Sequence, residues 1–368
     1  MGYHVSSLTF NHKEQRMALP FKSLLLSFAF LPSLVFAQWP SGLRFSHHDW
    51  ELACDNTRTC RAAGYHSDNE ELGVSVLLTR KAGPNESVAG QLMIGHYEEN
   101  PTLDSLPSVF ELSLRINDRP VGQVVISKDS FVADLTSSQV DALLASLVRT
   151  SRIELSAGEA VWSLSDKGAA AVLLKMDEFQ GRIDTPGALV KKGSKDEGSV
   201  LPAEQVPVVI AVPLPTSLPD DQLLAKKDSK ALMEAILTTL EEDDCPRLTE
   251  AEGESAELTA TRLSDTKILM SAQCWMGAYN FGYGFWVINA SLPYQPILVT
   301  TLASDHSDGT ISASHKGRGL GDCWSSEAWT WDGEQFVHTE ASSTGLCKLM
   351  APGGAWTLPT IVTNVRPE

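Results

Sequence analysis

One run of the chain gathers residue types that could bind an anion. Lys316-Gly317-Arg318-Gly319-Leu320-Gly321-Asp322-Cys323 sets two cations among three glycines. Glycine lets a backbone approach a ligand closely, and the Arg318 guanidinium can grip a carboxylate or phosphate as a two-pronged donor. The Gly-x-x-x-x-Gly-Lys-Ser/Thr pattern of nucleotide-binding loops is absent. The same glycines equally suit a bulged hairpin turn that Cys323 anchors. The candidate ligand-binding residues are Lys316, Gly317, Arg318, Gly319, Gly321 and Asp322.

A second candidate is aromatic. Phe281, Tyr283 and Phe285 alternate with Gly282 and Gly284, so the three rings share one strand face. Such an array could stack on sugar rings, or it could be an aromatic core ladder. Asp305-His306-Ser307-Asp308-Gly309 lacks the alternating ligands and final Glu of a calcium loop, and reads as a turn. His47, His48 and Asp49 could hold a metal, but they lie in a stretch (38–49) that reads as a loose lead-in. No metal site and no cofactor are expected. Neither Gly-x-Ser-x-Gly nor His-Glu-x-x-His occurs. A catalytic triad is defined by geometry, so hydrolysis stays open with no catalytic residue assigned.

The compartment is readable at the front of the chain. Lys22 precedes a short apolar run, Ser23 to Ala37, interrupted by Pro32. A bilayer span needs about 20 apolar residues. A positive residue, an apolar stretch and small residues at Val35 and Ala37 match a secretory signal cut after Ala37. Met17 to Ala37 contains all of these features, which makes Met17 the expected start. No cysteine follows the cut, so no lipid anchor is expected. Val206 to Pro215 is apolar but broken by Pro207, Pro213 and Pro215, and the mature chain is expected to have no membrane span.

The net charge is -17, and residues 1–37 contribute Lys13, Arg16 and Lys22 against Glu14, so their removal takes it to -19. This repels nucleic acid and anionic headgroups. It serves solubility, or else a basic partner or cation. All six cysteines lie beyond the cut. An even count in an exported chain reads as a disulfide framework. Sequence separation groups them as Cys54 with Cys60, Cys245 with Cys274 and Cys323 with Cys347.

These residues need elements to position them. Phe110 to Ile116 alternates apolar and polar, Asn117-Asp118 turns the chain, and Val121 to Ile126 returns. Thr136 and Gln139 form a capping box ahead of Val140, Leu143, Leu144 and Leu147 at helical spacing. Arg152–Leu155 and Ala160–Leu164 read as a hairpin, followed by a helix from Ser165 to about Gly181. Residues 184–219 are rich in Pro, Gly and Lys and read as a linker. A helix is predicted over Ala231–Leu240, then short strands with a hairpin turn at Asp332-Gly333. The expected fold is mainly β (α+β), in two domains. Residues 38–183 form an antiparallel sheet or sandwich with two helices. Residues 220–368 form an antiparallel meander with one preceding helix.

Ser314 to Cys323, Trp329-Thr330-Trp331-Asp332-Gly333-Glu334-Gln335-Phe336 and Cys54 to Tyr65 together resemble the exported bacterial family known as domain of unknown function 1176. The resemblance covers most of the mature chain and implies an envelope location without an activity. The order of elements from Phe110 to Arg182 is similar, more weakly, to the invasion-associated locus B family, which would imply a β-sandwich-like unit without a catalytic centre. The reading is a periplasmic, non-catalytic binding or envelope-accessory protein. Its partner would be an envelope protein, peptide or glycan, and its oligomeric state is open. The alternatives are a cell-wall hydrolase, or a hydrolase inhibitor that presents the Lys316–Gly321 loop.

Overall fold

A computed structural model describes residues 42–216, 218, 221, 229–249 and 257–368. The signal sequence, the Met17 start and the cut after Ala37 lie outside the described residues. Five strands follow one another antiparallel: β1 (Leu43–His47), β2 (Trp50–Cys54), β3 (Cys60–Tyr65), β4 (Val74–Arg80) and β5 (Val88–Ile94). After a single helical turn, α1 (Pro101–Asp104), the hairpin of β6 (Val109–Ile116) and β7 (Arg119–Ser127) starts a second sheet. β8 (Val132–Asp134) then returns to pair with β5. α2 (Ser137–Leu147), β9 (Ile153–Ala157), β10 (Ala160–Leu164) and α3 (Ala169–Phe179) complete the first half, with the second sheet ordered β10-β9-β6-β7.

Local chemistry explains these elements. Asn117 and Asp118 both adopt positive φ (49° and 65°), the demand of a two-residue hairpin turn. The Thr136–Gln139 capping box is complete, each side chain bonding the other residue's amide. β6 alternates exposed and buried residues throughout, so one face of its sheet is wet. The inner faces of both sheets close with α2 and α3 on a single core containing Trp50, Leu112, Ile126, Trp162, Leu173 and Met176. Two expectations are corrected. Leu43–His47 is not loose lead-in but an edge strand paired along β2. The helix expected from Ser165 starts at Ala169, because Gly168 has φ 97° and a Cβ there would fall 1.8 Å from the His47 carbonyl.

The second half is two antiparallel meanders. β11 (Val208–Ala211), α4 (Ser229–Leu237) and the one-turn α5 (Pro246–Thr249) come first. The first meander is β12 (Thr259–Arg262), β13 (Lys267–Met276), β14 (Phe281–Asn289) and β15 (Ile297–Ala303). The second is β16 (Asp305–Ser307), β17 (Thr310–Lys316), β18 (Trp324–Trp331), β19 (Phe336–Ser343) and β20 (Leu358–Ile361). β21 (Asn364–Pro367) pairs parallel with β11. Leu232 and Ile236 of α4 pack on Trp286 and the Cys245–Cys274 bridge. Phe285, Ile311, Trp329 and Trp331 fill the space between the meanders. The chain is thus mainly β, as its pattern predicts, built from antiparallel sheets apart from the parallel β11–β21 pair, and no sheet among the described residues closes into a barrel.

The two halves share one hydrophobic layer. Met350, Ala355, Trp356 and Leu358 cover the outer face of the first sheet, against Ala53, Ala63, Tyr65, Leu77 and Met93. β4 is therefore buried on both faces over most of its length. The Trp356 indole donates to Ser75 Oγ at 2.7 Å, and Ser75 Oγ donates to the Gly64 carbonyl at 2.8 Å. Truncating a buried tryptophan removes apolar burial and leaves a cavity. Trp356→Ala is expected to lower unfolding free energy by about 3–5 kcal/mol, read by urea denaturation of the oxidised protein.

Candidate functional site

The Lys316–Asp322 run connects β17 to β18, and every side of it is held. Cys323 is bridged to Cys347, as Cys54 is to Cys60 and Cys245 to Cys274. A Cβ on Gly317 would sit 2.7 Å from Cys323 Sγ and 3.0 Å from Cys347 Sγ, so the bridge leaves room only for glycine. Gly321 has φ 73°, in the left-handed region. Its carbonyl accepts from the Gly353 amide and the Trp324 indole, both at 3.0 Å. Asn280 brackets Lys316 by bonding both its amide and its carbonyl. The Tyr97 hydroxyl donates to the Leu320 carbonyl at 2.5 Å.

Arg318 has its partner inside the run, whereas Lys316 faces a ring just beyond it. The Arg318 fork donates to Asp322 Oδ1 at 2.7 Å and Oδ2 at 2.5 Å. Asp322 is buried, and its Oδ2 also accepts the Leu349 amide at 2.8 Å. Burial pushes the Asp322 carboxyl up, but the Arg318 hydrogen bonds, the Leu349 amide and the Arg318 charge outweigh this and hold it below the usual range. Lys316 Nζ lies 5.4 Å from the centre of the Trp324 ring, within cation–π reach. Asp322 also lies beside Cys323 and Cys347, but both sulfurs are spent in the bridge. Gly319 sits against Tyr279, and Leu320, 55% exposed, is the apex.

Beside the loop runs a groove that the sequence did not announce. The groove has a volume of about 330 Å³, and its lining includes His66, Asp68, Glu70, Glu71, Arg318 and Lys348. Lys348 donates to Asp49 at 2.9 Å and to Asp68 at 2.5 Å. Burial lowers the Lys348 affinity for its proton, but the two carboxylates more than restore it and raise its pKa. Burial also lowers the pKa of His66, whose Nδ1 accepts the Val74 amide at 3.3 Å. A smaller neighbouring recess of about 120 Å³ touches Tyr97, Glu98, Glu99 and Leu349. Glu70, Glu71, Glu98 and Glu99 are exposed and make no ion pair among the described residues.

The other sequence candidates fall elsewhere. Phe281, Tyr283 and Phe285 lie on one face of β14 but at different depths. Phe281 is 42% exposed, Tyr283 is intermediate and Phe285 is packed between the meanders at 6%. The glycines between them make room for indoles on the opposite face: a Cβ on Gly282 or Gly284 would strike Trp275 or Trp286. Asp308 and Gly309 form the β16–β17 turn, with φ 48° and 76°. Asp49 faces Lys348 and Ser165, whereas His47 at the end of β1 and His48 in the β1–β2 turn are exposed. The groove residues were missed because Asp68, Glu70 and Glu71 are some 250 positions from Arg318 in sequence, and nothing in either run marks the other as a neighbour.

The chain belongs to the family described as protein of unknown function (DUF1176), which matches residues 44–363. That span holds the loop, the groove and all three bridges. An Escherichia coli (strain K12) relative, uncharacterized protein YpfG, is 28% identical over 363 residues, or 92% of this chain and 97% of its own. No solved structure matches.

The depressed Asp322 pKa fixes a pH dependence. A carboxyl that titrates lower in the folded than in the unfolded chain adds stability that is full above the unfolded pKa. That stability is lost as pH falls through the folded pKa. Asp322→Ala is expected to cost about 1–3 kcal/mol at neutral pH. The gap from wild type should narrow as pH drops below the normal carboxylate range, measured by urea denaturation across pH.

Proposed function

We propose that this protein is exported to the periplasm and binds an envelope partner without catalysing a reaction, using the braced Lys316–Asp322 loop as its contact. The observation that carries the reading is pre-organisation. A bridge, a bidentate ion pair and the Tyr97, Asn280 and Gly353 contacts fix the loop, while Leu320 stays exposed at its apex. A loop already fixed in its bound shape loses little conformational entropy on association. Three disulfides suit an oxidising compartment. Among the described residues no helix is long and apolar enough to cross a membrane. A second reading, the hydrolase inhibitor, draws on the same exposed apex: an apolar residue on a disulfide-braced loop is a shape suited to entering a cleft.

Two measurements test this. Fractionation should place the protein in the periplasm with an amino terminus at Gln38; an unprocessed cytoplasmic protein would contradict export. Immobilised mature protein should retain a periplasmic partner that Leu320→Asp loses by about tenfold or more, as for an interface anchor. Equal retention by the two proteins would remove the loop from the contact.

A further inference from the structure

We infer that the contact surface continues from the loop onto the β13–β14 turn, and that its occupant is a partner segment with an apolar centre flanked by lysine or arginine. This rests on the binding reading above and adds the partner's chemistry. Met276 and Phe281 are directly paired across β13 and β14, so their side chains share a face. They are 60% and 42% exposed, and Tyr279 between them is 48% exposed. Tyr279 lies against Gly319, and Asn280 is bonded to the Lys316 backbone, so the turn and the loop are fixed side by side. Met276, Tyr279, Phe281 and Leu320 thereby form one exposed apolar platform at the same end of both meanders. Scattered apolar residues on a surface need no explanation, but a contiguous patch marks an interaction site. Aromatic residues and Met are also the types enriched at interface centres.

The charge beside the platform selects the occupant. Tyr97, bonded to Leu320, is followed by Glu98 and Glu99. Glu70 and Glu71 line the groove on the Arg318 side. Of the cations within reach, Arg318 and Lys348 are engaged by Asp322, Asp49 and Asp68, and Lys316, without an ion pair among the described residues, lies over the Trp324 ring. Four exposed carboxylates, Glu70, Glu71, Glu98 and Glu99, against the single unpaired Lys316 leave the balance of charge around the platform negative. A second mature copy would bring the same carboxylates and a net charge of -19 against them, which repulsion disfavours. A basic, apolar segment satisfies both the platform and its rim.

The test uses mature protein and labelled peptides in fluorescence anisotropy. One peptide alternates leucine and lysine, one leucine and glutamate, one serine and lysine. The leucine–lysine peptide is expected to bind at least about tenfold tighter than either control, and to weaken as salt rises. Met276→Asp with Tyr279→Asp, and separately Leu320→Asp, should each weaken it by about tenfold. Glu98→Gln with Glu99→Gln should weaken it less and flatten the salt dependence. All these positions are exposed, and circular dichroism checks their folding. Equal binding of the serine–lysine peptide would reduce the effect to bulk charge and overturn the inference, as would failure of the leucine–lysine peptide to bind. Loss with Leu320→Asp but not with the β13–β14 pair would overturn the extended platform while leaving the loop reading intact.

Discussion

Glu51 is the contact on which the arrangement of the two halves turns. Its Oε1 accepts the Tyr65 hydroxyl at 2.8 Å and the Leu346 amide at 2.6 Å, deep under the outer face of the first sheet. Burial raises the Glu51 pKa despite those donors, so the carboxylate tolerates its place only while both remain. Gly345 next to it has φ 99°, and a Cβ there would lie 2.1 Å from the Tyr65 oxygen. The chain after β19 is thus steered onto β2 and β3, and Met350, Trp356 and Leu358 follow it into the same layer.

Everything at the candidate site follows from that placement. Once Leu346 is fixed, Cys347 meets Cys323, Lys348 reaches Asp49 and Asp68, and Leu349 donates to Asp322. The loop between β17 and β18 is then gripped from below. Arg318 closes back on Asp322 instead of reaching outward, so the run that looks like an anion trap in sequence spends its guanidinium internally and keeps only Lys316, over the Trp324 ring, as an unpaired cation. What it leaves to solvent is an apolar apex beside uncompensated carboxylates. The molecule presents shape and an excess of negative charge where its local sequence suggested positive charge.

Local features were legible because their causes are local. Asn117-Asp118, the Thr136–Gln139 box and the three bridges join residues close in sequence, where turn chemistry and chain connectivity decide. The Arg318–Asp322 pair was also readable in principle, being opposite charges four positions apart. Long-range packing was not. Leu346 and Glu51 are separated by 295 positions, and neither carries a pattern naming the other. Alternation placed Phe281, Tyr283 and Phe285 on one face, but only the second meander determines how far along β14 that face is covered. The late start of α3 likewise depends on His47 lying against Gly168, a contact made across the fold.

The central claim is that Glu51 and the Cys347 segment hold the loop in its shape, and amide hydrogen exchange tests it most directly. In wild type, the Leu346, Leu349 and Gly317 amides, which donate to Glu51, Asp322 and the Cys323 carbonyl, should all exchange slowly. In Glu51→Ala all three should accelerate together, by about tenfold or more for a loss on the order of 1.4 kcal/mol in local stability. Acceleration at Leu346 alone, with Leu349 and Gly317 unchanged, would show that the loop keeps its shape without the seam and would contradict the account.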